Sequence, residues 1–440
     1  MPIETVPGTK LQYYLTVFDE KGHERPEDGA LLSARAIERM RDGDVTDVFF
    51  VSHGWKGDVP AAREQYNKWI GATAAVPADV DRVKAQHSGF RSLIIGLHWP
   101  SLPWGDEEIG GGVSFGGPSL PMAVLVDRYA GRIADTEAAR QALQTIFDAA
   151  RTQISPQKLP DEVRTAYQVL DKEAGMGSAG EGAAPGDDRE PFDPDRAYAF
   201  GRQGATFGAV GLGGILSPLR QLSFWKMKDR ARVFGEGGAH QVLSALQQAA
   251  VGQVRVHGMG HSFGCIVTAA MIAGPPGAAP LRTPIDSVFL AQGALSLWSF
   301  CESIEKADGR TGYFNSIVKR QQVQGPIVTT QSKRDTAVGV FYPLAAGAAR
   351  QASFAPGDLP KYGGVGAFGA QGPGLAIEGL KMRGIDERYE FQPHVVYNLE
   401  SSQVISEGGG ASGAHSDIAK PEVAHAFWGA VAHAGTGAPV

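Results

Sequence analysis

Cysteine is nearly missing from this chain: 440 residues hold two, Cys265 and Cys301. Two thiols make neither a disulfide framework nor a zinc set, so an apolar core must hold the fold. No cofactor or metal site is expected either. Charge of one sign is also missing. Lysine and arginine number 41 against 47 aspartates and glutamates, a net charge of −6. That balance lacks the basic footprint of a nucleic-acid partner. No run of 18 or more strongly apolar residues occurs, so no membrane-spanning helix is expected. The opening MPIETVPGTK lacks a basic patch followed by an apolar stretch. No signal peptide is therefore expected, and cytoplasm is the default compartment, with export by a signal-independent route left open. Internal repeats are absent.

Glycine and hydrophobic residues are plentiful. There are 58 glycines, and a hydrophobic content of 43% supports a sizeable core. The most informative stretch is 253–271, QVRVHGMGHSFGCIVTAAM. Its spacing predicts a buried strand, a tight turn and a helix. Cys265 lies on that helix as a small core residue. At the apex stands Ser262, within Gly260-His261-Ser262-Phe263-Gly264. The flanking glycines let strand and helix approach each other, and the strained turn lifts the hydroxyl out of the sheet.

The five-letter pattern G-x-S-x-G is not selective by itself. With this glycine content chance supplies about 0.4 copies in such a chain. A second copy does occur, Gly112-Val113-Ser114-Phe115-Gly116. It has no strand before it and no helix after it, so it is a glycine loop. Context selects Ser262.

Taken in order, residues 11–19 (LQYYLTVFD) predict a first strand, at a sheet edge. A short helical stretch follows at 33–40. The apolar run 45–53 (VTDVFFVSH) suits an inner strand of a parallel sheet. An amphipathic helix at 61–73 leads to another buried strand, 92–99. Further strands are expected at 287–295, 327–331 and 395–405. Strands alternating with helices give an α/β class with a mostly parallel central sheet. Residues 1–100 and 251–440 then form the core. Residues 101–250 form a large insertion, helical and Gly-rich. Its helices are expected at 122–151, 161–173 and 226–248, with a flexible acidic linker near 175–195. A second Gly-rich insertion lies near 345–380. Insertions of this length commonly cap a site. Loose glycine spacing at 208–214 follows no strand and lacks the lysine of a phosphate loop.

The set VFFVSHGW, LIIGLHWPS, VHGMGHSFG, TTQSKRD and GAHSD resembles the α/β-hydrolase superfamily. It is most similar to bacterial members that pair an HG-x loop with a strand ending in WPS. The resemblance covers about 44–100 and 252–432, and leaves the first insertion unmatched. It implies an α/β-hydrolase fold and the chain order Ser, acid, His. Ser262 is then the nucleophile. Asp335, just past the strand at 327–331, is the acid, ahead of Asp286, Asp308, Asp386 and Glu400. His415, in the loop after the last strand, is the base. His394 lies at the wrong end of the sheet, and His425 and His433 read as surface residues. Asp417 caps the next helix or holds the histidine loop. The resemblance also implies an oxyanion hole from the N–H groups of Phe263 and Trp55, with Gly54 and the Trp55 side chain lining the substrate site. His53 is expected to be a structural, hydrogen-bonded residue, and His261 to pack. An aspartate nucleophile, as in dehalogenases and epoxide hydrolases, is disfavoured by the serine at 262.

The expected activity is cofactor-free hydrolysis of a carboxylic ester, with an amide or thioester as variants and a small-molecule ester or lipid as the partner. One alternative is a non-catalytic binding protein on the same fold. Another is an interfacial lipase that inserts 198–225 into a membrane surface.

Overall fold

The computed structural model describes residues 3–27, 29–55, 58–101, 121–152, 156–206, 214–342, 359–409 and 412–433. The second G-x-S-x-G copy, residues 208–213 of the glycine spacing and residues 345–358 of the second expected insertion lie outside them. Among the described residues, no helix is long and apolar enough to cross a membrane.

Among the described residues, nine strands form one sheet: β1 Ile3–Thr5, β2 Gln12–Val17, β3 Asp47–Ser52, β4 Ser92–His98, β5 Arg255–His261, β6 Ser287–Ala291, β7 Ile327–Gln331, β8 Ile377–Lys381 and β9 Val396–Glu400. Their order across the sheet is β1-β2-β4-β3-β5-β6-β7-β9-β8. Only the β1–β2 pairing is antiparallel; the others run parallel. The class is therefore α/β with a mostly parallel sheet flanked by helices.

Every residue of β3 is buried, as is nearly all of β5. Strands covered on both faces need no polar alternation, which explains the continuous run DVFFVS. Phe49, Val51, Met259 and Phe289 point into one core with helices Val59–Ala74, Pro77–Gln86 and Pro421–Ala432. Phe427 and Trp428 of the last helix meet Phe49 at ring distances of 6.0 and 5.9 Å. On such buried aromatics, truncation to alanine costs about 3–5 kcal/mol. Helix Gly264–Ala273 packs against β3 and β5, backed by His240–Ala249 and then Leu32–Arg41.

Several elements differ from the sequence reading. The strand at 11–19 is not an edge: β2 sits between β1 and β4, and three-residue β1 takes the edge. At the other edge lies β8, inside the stretch read as a Gly-rich insertion. Its composition, IEGLK, is half exposed and carries no apolar alternation. The helix Val365–Phe368 from the same stretch packs on β7. The long helix expected at 122–151 is two, Met122–Ile133 and Glu137–Thr152.

The chain divides into two compact units, Met1–Ser101 with Arg230–Pro343 and Phe354–Val440, and Leu102–Asp229 with Leu344–Ser353. The first holds the sheet. The described residues of the second include helices with apolar stripes: Leu143, Ile146 and Phe147 on Glu137–Thr152, Val163, Tyr167 and Leu170 on its neighbour Asp161–Glu173. The chain leaves this unit within helix Ser217–Phe234. The acidic stretch near 175–195 is tied down rather than free. Arg189 is buried and donates to Asp171 at 2.7 Å and to the Gly177 carbonyl at 3.0 Å. Buried Lys228 pairs with Asp188 and lies over the Trp225 ring. A charge taken out of water must be paired, so these acids act as anchors.

Candidate active site

The strand order reverses between β3 and β5: from β3 the chain proceeds to β4 on one side, and β5 opens the other. Crevices at such a reversal, beyond the carboxyl ends of the strands, are where open α/β sheets hold ligands. Ser52 pairs in register with Gly260, so the loops carrying Gly54 and Ser262 leave the sheet side by side.

Ser262 adopts φ +56°, the left-handed region that a serine rarely occupies. Its N–H donates to the Ala291 carbonyl at 3.1 Å, and its carbonyl accepts from Ala294 at 3.1 Å. The end of β6 thus holds the turn in its strained shape. A Cβ on Gly264 would lie 2.1 Å from the Ser52 carbonyl oxygen, and one on Gly260 2.5 Å from the Gly264 oxygen. Those two glycines are required by close approach, as the motif reading expected.

The neighbouring loop is equally constrained. A Cβ on Gly54 would fall 2.5 Å from Ser262 Cβ and 3.1 Å from its Oγ. Trp55 follows, its ring 5.9 Å from that of Phe263. The two expected oxyanion residues are therefore neighbours. His53 is held on every side. Its N–H donates to Tyr66 Oη at 3.0 Å, and its carbonyl accepts from Trp99 Nε1 at 3.2 Å. Its ring stacks on Trp99, and Nε2 meets His98 Nδ1 at 2.9 Å. Its Nδ1 meets the Gly54 carbonyl at 2.8 Å, where only an N–H can serve. So Nδ1 carries the proton and Nε2 accepts from His98. Burial holds both rings neutral, pushing His53 down to about 4 and His98 to about 3. With the Gly54 carbonyl pinned to His53 and the peptide trans, the Trp55 N–H faces away from that ring. The HGW and LHW segments are thus two halves of one clamp.

The expected acid and base, Asp335 and His415, come together. Asp335 is 1% exposed and His415 9%. His415 Nδ1 lies 2.7 Å from Asp335 Oδ2. Backbone pairing brings the loops into register. Asp335 and Gly413 form an isolated antiparallel bridge, and the Ala414 N–H donates to the Arg334 carbonyl at 2.9 Å. Gly413 has φ +57°, and a Cβ there would lie 2.3 Å from that same oxygen. Asp335 Oδ1 accepts the Val338 N–H at 2.9 Å, and Oδ2 also accepts from Gln292 Nε2 at 2.8 Å. Asp417 holds the histidine loop, accepting from the Ser406 and Glu407 N–H groups at 3.0 and 2.9 Å. It does not cap the following helix.

Ser262 itself makes no hydrogen bond to His415 in this state, among the described residues. The link between them runs through residue 261. His261 Nε2 meets the His415 carbonyl at 2.9 Å, and the two rings lie 5.0 Å apart. Burial first, and the nearby His415 second, push the His261 imidazole down to about 3. It therefore stays neutral, and Nε2–H donates to that carbonyl. The expected packing role is also met, by an edge contact with Trp69 at 5.2 Å.

Other expectations need correction. His425 is not a surface residue. It is 1% exposed, with Nδ1 2.7 Å from Asp79 and Nε2 2.5 Å from the Glu387 carbonyl. This second His–Asp pair ties helix Pro421–Ala432 to Pro77–Gln86, away from the strand ends that carry Ser262. His433 is half-buried and bonds the Gly429 carbonyl. Asp286 sits at the start of β6, accepting the Val256 N–H at 2.7 Å, at the opposite end of the sheet from His415. Cys265 is buried, its Sγ toward the Gly260 carbonyl. Gln292 was missed. Only its place just past β6 marks it, and a glutamine at a strand end carries no signal in a single sequence. No protein-family model, curated protein or solved structure matches this chain, so the functional reading rests on its own geometry.

Proposed function

We propose that the protein is a serine hydrolase of the α/β-hydrolase type, acting on a carboxylic ester. The observation that carries the reading is the buried Asp335–His415 pair, its backbone bonded to the residue before a serine held at φ +56°. The strand-turn-helix around Ser262 and the adjoining loop after β3 have the arrangement of a nucleophile elbow with its oxyanion loop. Ser262 Oγ attacks the acyl carbon as His415 Nε2 takes its proton. Asp335 holds Nδ1–H and so fixes the tautomer that leaves Nε2 free to accept. The N–H groups of Phe263 and Trp55 receive the oxyanion, with Gly54 leaving room beside Oγ. His415 then returns the proton to the departing alcohol, and water attacks the acyl-enzyme with His415 again as base. The missing Ser262–His415 hydrogen bond fits a resting enzyme, since such bonds often tighten only when substrate binds.

The absence of that hydrogen bond is also what a non-catalytic binding protein on this fold would show. A panel of p-nitrophenyl esters of increasing acyl length separates the two readings. The hydrolase reading expects turnover that Ser262→Ala abolishes. Turnover that survives in the variant, or none from any acyl length, contradicts it.

A further inference from the structure

We propose that Gln292 is a positioning residue that sets the orientation of Asp335, and through it of the His415 imidazole. The inference rests on the hydrolase reading above and adds a fourth side chain to its relay.

Gln292 is fully buried and adopts φ +46°, a second left-handed non-glycine residue close to the site. Its side chain has no spare polar atom. Oε1 accepts from Thr330 Oγ1 at 2.8 Å. Nε2 donates to Asp335 Oδ2 at 2.8 Å and to the Gly366 carbonyl at 3.1 Å. The amide cannot be turned over. Reversed, its oxygen would face a carboxylate and a carbonyl, both acceptors. Thr330 Oγ1 also accepts the Gln292 N–H at 2.9 Å, so its one proton is committed to Oε1.

The consequence falls on one oxygen. Asp335 Oδ2 takes two N–H groups, from His415 and from Gln292, while Oδ1 takes the Val338 N–H. Three donors from three directions leave the buried carboxylate a single rotamer. Without the amide, Oδ2 keeps His415 alone, and the carboxyl plane loses its lateral restraint. The backbone strain at Gln292 points the same way. Strained residues persist where surrounding structure holds them to a task. The structure holds this one tightly: a Cβ on Gly366 would lie 2.6 Å from the Gln292 carbonyl carbon.

The test uses the full chain with Gln292→Leu and Gln292→Glu. Gln292→Leu keeps the shape and removes the donor. The expected kcat loss is about 10- to 100-fold, by analogy with deleting the hydrogen-bond partner that orients a metal-ligating side chain, with KM unchanged. Gln292→Glu adds a signature that packing alone does not produce. A carboxyl there donates to Asp335 only while protonated, and two carboxyls this close share a proton. Its kcat should approach wild type at low pH and fall as the shared proton leaves, a basic limb that wild type lacks. Both variants matching wild type in kcat and pH profile overturns the proposal. So does a Gln292→Leu protein that fails to fold beside a Gln292→Glu protein with an unchanged profile. If wild type hydrolyses no ester, the hydrolase reading fails first, and imidazole nitrogen NMR decides on Gln292 alone. An altered His415 tautomer or titration midpoint in Gln292→Leu upholds the positioning role, and an unaltered one overturns it.

Discussion

At the residue scale the site is defined by backbone geometry as much as by chemistry. Ser262 at φ +56° is held by hydrogen bonds to Ala291 and Ala294, and glycines at 54, 260 and 264 allow the surrounding chain to close on it. A left-handed L-residue costs about 1–2 kcal/mol, which glycine avoids. Glycine in turn loses about 0.4–1 kcal/mol through its freer unfolded chain. Ser262→Gly should therefore be more stable than Ser262→Ala, by about 0.5–1 kcal/mol in denaturant unfolding. Glycine the less stable of the two would show that the turn stores no strain. The tight turn at Ser262 with its two close-packed glycines was legible from a short motif, and the meeting of Asp335 with His415 from their positions just past the strands at 327–331 and 395–405. Gln292 was not, since its role depends on Thr330 and Asp335, which the fold brings to it.

At the element scale, strand ends and the loops beyond them are locked by buried neutral histidines. His53 and His98 join the ends of β3 and β4, and His261 joins β5 to the His415 loop. Desolvation lowers all three, to about 4, 3 and 3. A histidine with a depressed folded value contributes stability that is complete above its unfolded value, near 6.5, and is lost as pH falls toward the folded value. Each contributes a slope of about 1.4 kcal/mol per pH unit within that window. Stability should therefore drop steeply from about pH 6.5 to 4, and His98→Asn should flatten the slope. An unfolding midpoint that stays level across that interval would contradict the clamp. The inner strands were legible because burial on both faces leaves unbroken apolar runs. Edge strands β1 and β8 were not: three residues, or a half-exposed IEGLK, leave no periodic trace.

At the scale of the whole molecule, the proposed site draws on loops that follow β3, β5, β7 and β9. Residues 262, 335 and 415 are far apart in the chain. The sheet order places their loops along the same edge, and the Asp335–Gly413 bridge and the His261–His415 contact close the remaining gaps. The α/β class could be read from alternating strands and helices. The division of the chain was harder to read. Its second unit ends within a helix, and the acidic stretch near 175–195 is anchored by Arg189 and Lys228, which composition alone does not reveal. The most direct measurement is covalent. Treated with a fluorophosphonate, the protein should gain one phosphonyl group, mapped by peptide mass to Ser262, and His415→Ala or Asp335→Asn should slow that labelling by at least about 100-fold. An unmodified Ser262, under conditions where a control serine hydrolase reacts fully, would contradict the relay on which the functional reading depends.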